Sequence, residues 1–251
     1  MSCVIIKVDY FTMQDIYKPL RSKSYSVPCE LCSIGSMCIP MLLNNTLHTV
    51  LNRKHEFTKD QVVIHEGTPF QKLFIIHSGA LKTYVTVNGV EQINGFYLPG
   101  DIVGLDSISN NKYNNSIKAL TNTLTCELEY DEVKKLISQN AQVRDMILDL
   151  MSKDILNYQK LVLSYSQKNA EEKLASFIYS LYSRYAQRGH TSLNIKLSMS
   201  RSDIANYLGI TIETVSRILT RMQETEILSV KGKYISIKNI SALARLAAEN
   251  I

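Results

Sequence analysis

The sequence predicts an α+β protein in three parts: a β-rich body, one long helix, and a helical C-terminal unit closed by a short wing. Three observations predict it. From about Gln61 to Leu128 short apolar runs alternate with turn signals. From Leu148 to Tyr165 apolar residues recur at steps of three and four. From Ser200 to Leu219 caps, small residues and a glycine fall at the offsets of a helix-turn-helix.

In the β-rich part, Gln61-Val62-Val63-Ile64 runs into Glu66-Gly67-Thr68-Pro69, and Leu73-Phe74-Ile75-Ile76 into Ser78-Gly79. Thr83 to Val87 leads into Asn88-Gly89, a hairpin pair because both residues tolerate positive φ. Leu98-Pro99-Gly100-Asp101 is a further turn. Short strands at this spacing predict a small barrel, roll or sandwich. Leu124, Cys126 and Leu128 alternate with Thr125 and Glu127, which puts Cys126 on an apolar face. By itself that position reads as a buried core cysteine.

The stretch from about Asp131 to Val162 is helical, with few breakers. Leu148, Met151, Ile155, Tyr158, Val162 and Tyr165 form an a/d seam of about three heptads. It can pack on its own β-domain or on a second copy; the strict spacing favours a homodimer. A further helix opens at Asn169, with Glu172 placed to complete a capping box, buries Leu174, Phe177, Ile178, Leu181 and Tyr185, and ends at Gly189.

In the helix-turn-helix, Ser200 and Asp203 open the first helix, Ile204 and Leu208 face the core, and Ala205 is small where the helices cross. Gly209 permits a left-handed turn, and Thr211 caps the second helix, anchored by Val215, Ile218 and Leu219. The outward face carries Glu213, Ser216 and Arg217, with Thr214 beside them. Arginine suits the O6/N7 edge of guanine, and glutamate accepts from a cytosine amino group. The plainer alternative is a surface ion pair between Glu213 and Arg217, stabilising by about 0.3–0.5 kcal/mol. Leu228 to Ile237 reads as a two-stranded wing with Lys231 and Lys233 at its tip as phosphate contacts.

Charge agrees with this division. Ser164 to Ile251 hold 12 Lys+Arg and 7 Asp+Glu, whereas the rest of the 251-residue chain is balanced at 16 and 16. The whole net charge of +5 therefore lies beside the helix-turn-helix, where phosphates would be met. Val4-Ile5-Ile6 is interrupted by Lys7 and Asp9, too soon for a signal peptide, and no run approaches the roughly 18 apolar residues of a membrane helix. The expectation is a cytoplasmic protein with reduced thiols. The five histidines are scattered singly and no catalytic constellation appears, so no enzyme is predicted.

Cys29, Cys32 and Cys38 stand in a C-x2-C-x5-C pattern between Pro28 and Pro40. Prolines hold such a segment as a loop that can wrap its sulfurs around one centre. Cys126 is the fourth candidate thiolate. Thiolates alone do not separate zinc from iron–sulfur, and a structural zinc loop, a disulfide framework or plain apolar filler remains open on spacing alone. Leu42 to Leu51 reads as a short helix, and Cys3 as a free thiol.

The order of cysteine loop, β-domain, long helix and winged helix-turn-helix resembles the CRP/FNR family of bacterial transcription regulators, in its oxygen-responsive FNR type. The carrying segments are Cys29 to Pro40, Gly95 to Gly104, Asn169 to Ala175 and Ile212 to Arg217. The resemblance implies a cyclic-nucleotide-binding-like β-roll, and four parts: a leader over 1–28, cysteine loop and β-roll over 29–140, a dimerisation helix over 141–165, and the DNA-binding unit over 166–251. It implies that Cys29, Cys32, Cys38 and Cys126 hold a 4Fe-4S cluster. It further implies that Glu213, Ser216 and Arg217 read inverted TTGAT-like half-sites, with RNA polymerase as a partner. The arginine that holds a cyclic phosphate in the nucleotide-binding branch has no counterpart in Lys112-Tyr113-Asn114-Asn115-Ser116-Ile117, so no cyclic nucleotide is expected. Oxygen-responsive members commonly carry an acidic residue in the seam where this chain has Tyr158; its absence implies readier dimerisation without the cluster. A regulator of the same fold switched by cysteine oxidation is the near alternative, and a zinc- or thiol-dependent structural protein whose helix-turn-helix makes protein contacts only is the distant one.

Overall fold

The computed structural model describes the backbone of residues 24–25 and residues 54–188 and 192–248. The expected leader other than Ser24–Tyr25, which form a strand, lies outside the described residues, as do the loop of Cys29, Cys32 and Cys38, the helix at Leu42–Leu51, Cys3 and Gly189.

The β-half is a roll of two antiparallel sheets. One has the order β1-β2-β9-β4-β7: β1 (Ser24–Tyr25), β2 (Lys54–Phe57), β9 (Thr123–Glu129), β4 (Lys72–Ser78) and β7 (Ile102–Val103). The other has the order β3-β8-β5-β6: β3 (Val62–Ile64), β8 (Ser116–Ala119), β5 (Leu81–Val87) and β6 (Val90–Tyr97). The Asn88–Gly89 hairpin forms as the sequence predicts: Val87 pairs with Val90, and the two turn residues sit at φ 51° and 79°. β6 lies at the edge of its sheet, hydrogen-bonded along one side to β5.

One predicted helix is two. α1 (Tyr130–Gln139) stops at Asn140, whose backbone is extended, and α2 (Ala141–Gln167) starts after it. The Asn140 side chain accepts from the backbone N–H groups of Gln142 and Val143, so it caps the second helix rather than continuing the first. The 27 residues of α2 span about 40 Å at 1.5 Å per residue. Val143 and Ile147 at its start are buried in the core of the roll, with Leu73, Ile75, Cys126 and Leu128.

α3 (Ala170–Gln187) opens with the expected capping box of Asn169 and Glu172. α4 (Arg201–Leu208) and α5 (Ile212–Glu224) form the helix-turn-helix. Ser200 and Asp203 cap α4 reciprocally, Gly209 takes φ 63°, and Thr211 accepts from the Thr214 N–H at 3.2 Å. The wing has three strands, not two. β11 (Leu228–Lys231) pairs with β12 (Tyr234–Ile237), and β12 also pairs with β10 (Asn194–Lys196). α6 (Ile240–Leu246) closes the chain and packs on α3. A single apolar cluster joins the two halves: Tyr84, Ile93, Phe96 and Leu98 of the roll share it with Leu174, Phe177 and Ile204. No helix among the described residues is long and apolar enough to cross a membrane.

Candidate nucleic-acid interface and metal centre

The recognition face stands clear of the core. On α5, Val215, Ile218, Leu219 and Met222 are buried, and Glu213 and Arg217 project from the opposite side with Ser216 and Thr214 half-buried between them. Arg201 of α4 donates to the Ser216 hydroxyl at 3.3 Å and so braces this face. The described ion pairs do not include Glu213 with Arg217. The Glu213 carboxylate instead takes a hydrogen bond from its own backbone N–H and one from the Thr211 hydroxyl, which hold it below the usual carboxylate range. It sits in the first turn, where the helix dipole favours negative charge. Arg217 is thus left exposed for an outside partner. Lys231 and Lys233 are exposed at the wing tip beside Gly232. Lys233 also borders a polar cleft of about 240 Å³ with Lys59, Asp60, Lys82 and Ser198.

The seam residues of α2 are arranged as an apolar stripe. Leu148, Ile155 and Val162 are 58%, 57% and 65% exposed, far more than a core stripe would be, and Met151 is half-buried. Two seam tyrosines turn inward. Tyr165 donates to the Tyr207 carbonyl in the first helix of the helix-turn-helix. Tyr158 lies beside Tyr97 at the end of β6, and burial pushes both phenols up. Tyr97 and Tyr158 line an apolar cavity of about 240 Å³ between roll and helix with Met151, Asp154 and Ile155. Burial, then the nearby Asp101, push the Asp154 carboxyl up to about 6.

Of the predicted thiolates Cys126 alone is described. It is 3% exposed and lies on β9 between two strands. In register it faces Ile75 of β4 on one side and Lys54 of β2 on the other. Lys54 in turn faces Tyr25 of β1. Tyr25 and Lys54 bracket the segment that carries Cys29, Cys32 and Cys38, so both ends of that segment enter the sheet on the row of Cys126. Tyr25 and Cys126 are two strand spacings apart, about 9.5 Å. Cys29 follows Tyr25 by four residues, a reach of up to about 14 Å. The chain length from Tyr25 to Cys29 thus exceeds the strand distance from Tyr25 to Cys126.

Contacts between the halves were not foreseen from sequence. Lys82 of β5 donates to Asp203 of α4 at 2.9 Å, and Arg184 and Arg188 at the end of α3 both pair with Asp101. Asn206 of α4 bonds to the backbone of β6. A local signal existed for one of them: asparagine is a poor interior helix residue, and Asn206 sits inside an eight-residue helix.

A two-sheet roll joined by a long helix to a winged helix-turn-helix is the architecture of a DNA-binding transcription regulator. Family models for the Crp-like helix-turn-helix domain and for the cyclic nucleotide-binding domain match residues 172–246 and 54–140. The fumarate and nitrate reduction regulatory protein of Yersinia pestis is 44% identical over 237 residues, 92% of this chain and 95% of that one. The anaerobic regulatory protein of Pasteurella multocida is 42% identical over 249 residues, 97% of this chain and 91% of that one. The structure of FixK2 from Bradyrhizobium japonicum superposes with a TM-score of 0.72 at 28% identity, covering 79% of this chain and 98% of that one. The chain belongs to the CRP/FNR family of transcription regulators, in the FNR type. These relatives are regulators and not enzymes.

Proposed function

We propose that this protein is a homodimeric, oxygen-responsive transcription regulator that binds inverted TTGAT-like half-sites, and that Cys29, Cys32, Cys38 and Cys126 would hold a 4Fe-4S cluster. The observation that carries the reading is the row Tyr25–Lys54–Cys126, which supports convergence of the cysteine segment on the buried thiol of β9. When bound, such a cluster supplies oxygen-labile thiolate links between that segment and the sheet. Iron–sulfur clusters are held by cysteine thiolates, and Cys126 would be the one supplied by the sheet.

From Cys126 the connection to DNA runs through packing. Cys126 shares one apolar core with Val143 and Ile147 at the start of α2, so the thiol and the long helix are parts of the same packed cluster. The exposed stripe Leu148–Ile155–Val162, with Met151 and Tyr158 beside it, supports pairing of two copies. In the pair the two α5 helices meet half-sites one DNA turn apart, about 34–36 Å. Arg217, Glu213 and Ser216 read base edges, Thr211 and Thr214 flank them at the helix start, and Lys231 and Lys233 meet phosphates. RNA polymerase is the partner the family reading supplies. We infer that cyclic nucleotides are not ligands, because the stretch Lys112 to Ile117 holds no arginine for a cyclic phosphate and its Tyr113 is buried in the core of the roll. Its ring packs on Phe70 and Phe74 at 5.3 and 6.4 Å, and its hydroxyl donates to the Lys72 carbonyl.

Anaerobic purification tests the reading, with iron, sulfide and visible spectrum recorded before and after air and binding to a TTGAT palindrome followed alongside. Four irons per chain, with absorbance and DNA affinity lost together in air, are expected. DNA binding indifferent to air in iron-free protein would remove the sensor and leave the regulator. Air-sensitive binding without iron would favour a thiol-oxidation switch.

A further inference from the structure

We propose that Asn206 is a positioning residue for DNA recognition: its side chain fastens the helix-turn-helix to the free edge of β6 and so fixes where the recognition helix stands relative to α2. This rests on the homodimer reading above.

β6 is an edge strand, and an edge exposes a row of unpaired N–H and C=O groups. Between Glu91 and Ile93 that row is occupied by one side chain. Asn206 Nδ2 donates to the Glu91 carbonyl at 2.7 Å, and Asn206 Oδ1 accepts from the Ile93 N–H at 2.7 Å. Gln92 Nε2 answers with a bond to the Asn206 carbonyl at 3.1 Å. The amide thus imitates a neighbouring strand, accepting and donating side by side. Such a pairing fixes direction as well as distance, which apolar packing alone does not.

A second bond holds the same face of α4. Asp203 lies one turn before Asn206, and its carboxylate takes the Lys82 ammonium at 2.9 Å. Beneath them the rings of Phe96, Phe177 and Tyr207 pack with centroids 4.9 to 5.8 Å apart. α4 therefore cannot swivel on β6 without breaking the amide pair. The recognition helix follows α4, because the Ile210 N–H bonds to the Ala205 carbonyl across the Gly209 turn. At its far end β6 carries Tyr97, which lines one cavity with Tyr158 of the seam helix. One strand thus links the proposed dimer seam to the unit that reads DNA. Within the helix-turn-helix Asn206 supplies only backbone, its carbonyl to the Gly209 N–H, so the use of its side-chain bonds lies between the halves.

The test uses full-length protein, reconstituted anaerobically, and palindromes whose half-sites are at the native spacing or one base pair closer or farther. One base pair turns a half-site by about 35° around the DNA axis. The unsubstituted protein is expected to prefer one spacing strongly. Asn206→Ala is expected to reduce that preference about tenfold, the scale of losing two hydrogen bonds. The penalty for a wrong base within a half-site should not change. Retained spacing preference in Asn206→Ala, with affinity unchanged or uniformly lowered, would overturn the proposal. Should Asn206→Ala fail to melt cooperatively, Asn206→Asp decides: it keeps the shape, removes the donor to Glu91, and is read by the same two outcomes. If the unsubstituted protein binds all spacings alike and sediments as a monomer, the dimer reading fails first and takes the proposal with it.

Discussion

The ammonium of Lys82 lies 2.9 Å from the carboxylate of Asp203, which joins a strand of the roll to the first helix of the DNA-reading unit. Burial raises the Asp203 carboxyl, but the Ser200 hydrogen bonds and Lys82 outweigh it, and the net displacement is downward. A carboxylate held below its ordinary value adds stability above that value and loses it as pH falls through the lowered one. Asp203→Asn should cost about 1.5–3 kcal/mol near neutral pH, the range for hydrogen bonds to charged groups. The difference from unsubstituted protein should close in acid. Urea denaturation at pH 7 and pH 3 measures both.

Asp154 behaves in the opposite sense. Its carboxyl is pushed up to about 6, so the charged form is disfavoured in the fold. Its favourable contribution is complete below the ordinary carboxylate value and is lost as pH rises toward 6 and beyond. Asp154→Asn should gain on the order of 1 kcal/mol at pH 7.5, or about 2–4 °C in Tm, and nothing at pH 4. Calorimetric melting at the two pH values checks it.

Arg217 is exposed, with Glu213 turned back on its own helix end. Arg217→Ala should cost about 1–3 kcal/mol of specific binding and relax selectivity at one base pair. Competition with single-base variants of the half-site distinguishes this from a phosphate contact, which would weaken all sequences alike.

Ile155 is 57% exposed in the middle of the seam, so a charge there leaves the fold intact. Ile155→Glu should convert the dimer to monomer, because two buried like charges would face one another across the pair. Sedimentation at micromolar concentration reads the change. The same measurement on cluster-free protein tests the role of Tyr158, where dimer is the expected result.

Much of the fold was legible because its signals are local. Asn88–Gly89, Ser200 with Asp203, Gly209 and Thr211 each state a backbone conformation within four residues of themselves. The break at Asn140 is hidden in the apolar pattern, which runs through it; the asparagine cap marks the new start, at the boundary the resemblance implies. The third wing strand was missed because Asn194–Lys196 is too short to show a period. The Lys82–Asp203 bond joins positions 121 residues apart, and nothing near either residue names the other. At the candidate site, the recognition face was legible as a pattern on one helix. The row that brings Tyr25 and Lys54 beside Cys126 is a matter of sheet order, which no single strand encodes.

β6 lends its open edge to a helix some 110 residues away in sequence. A boundary drawn along the chain between sensor and reader therefore cuts through a shared surface. The unit that relatives could exchange without repair is the reader together with the β5–β6 hairpin that receives it. A chimera joined at the end of the long helix would pair one protein's Asn206 face with another's strand edge, and the register of that pairing would decide whether it still found its operator.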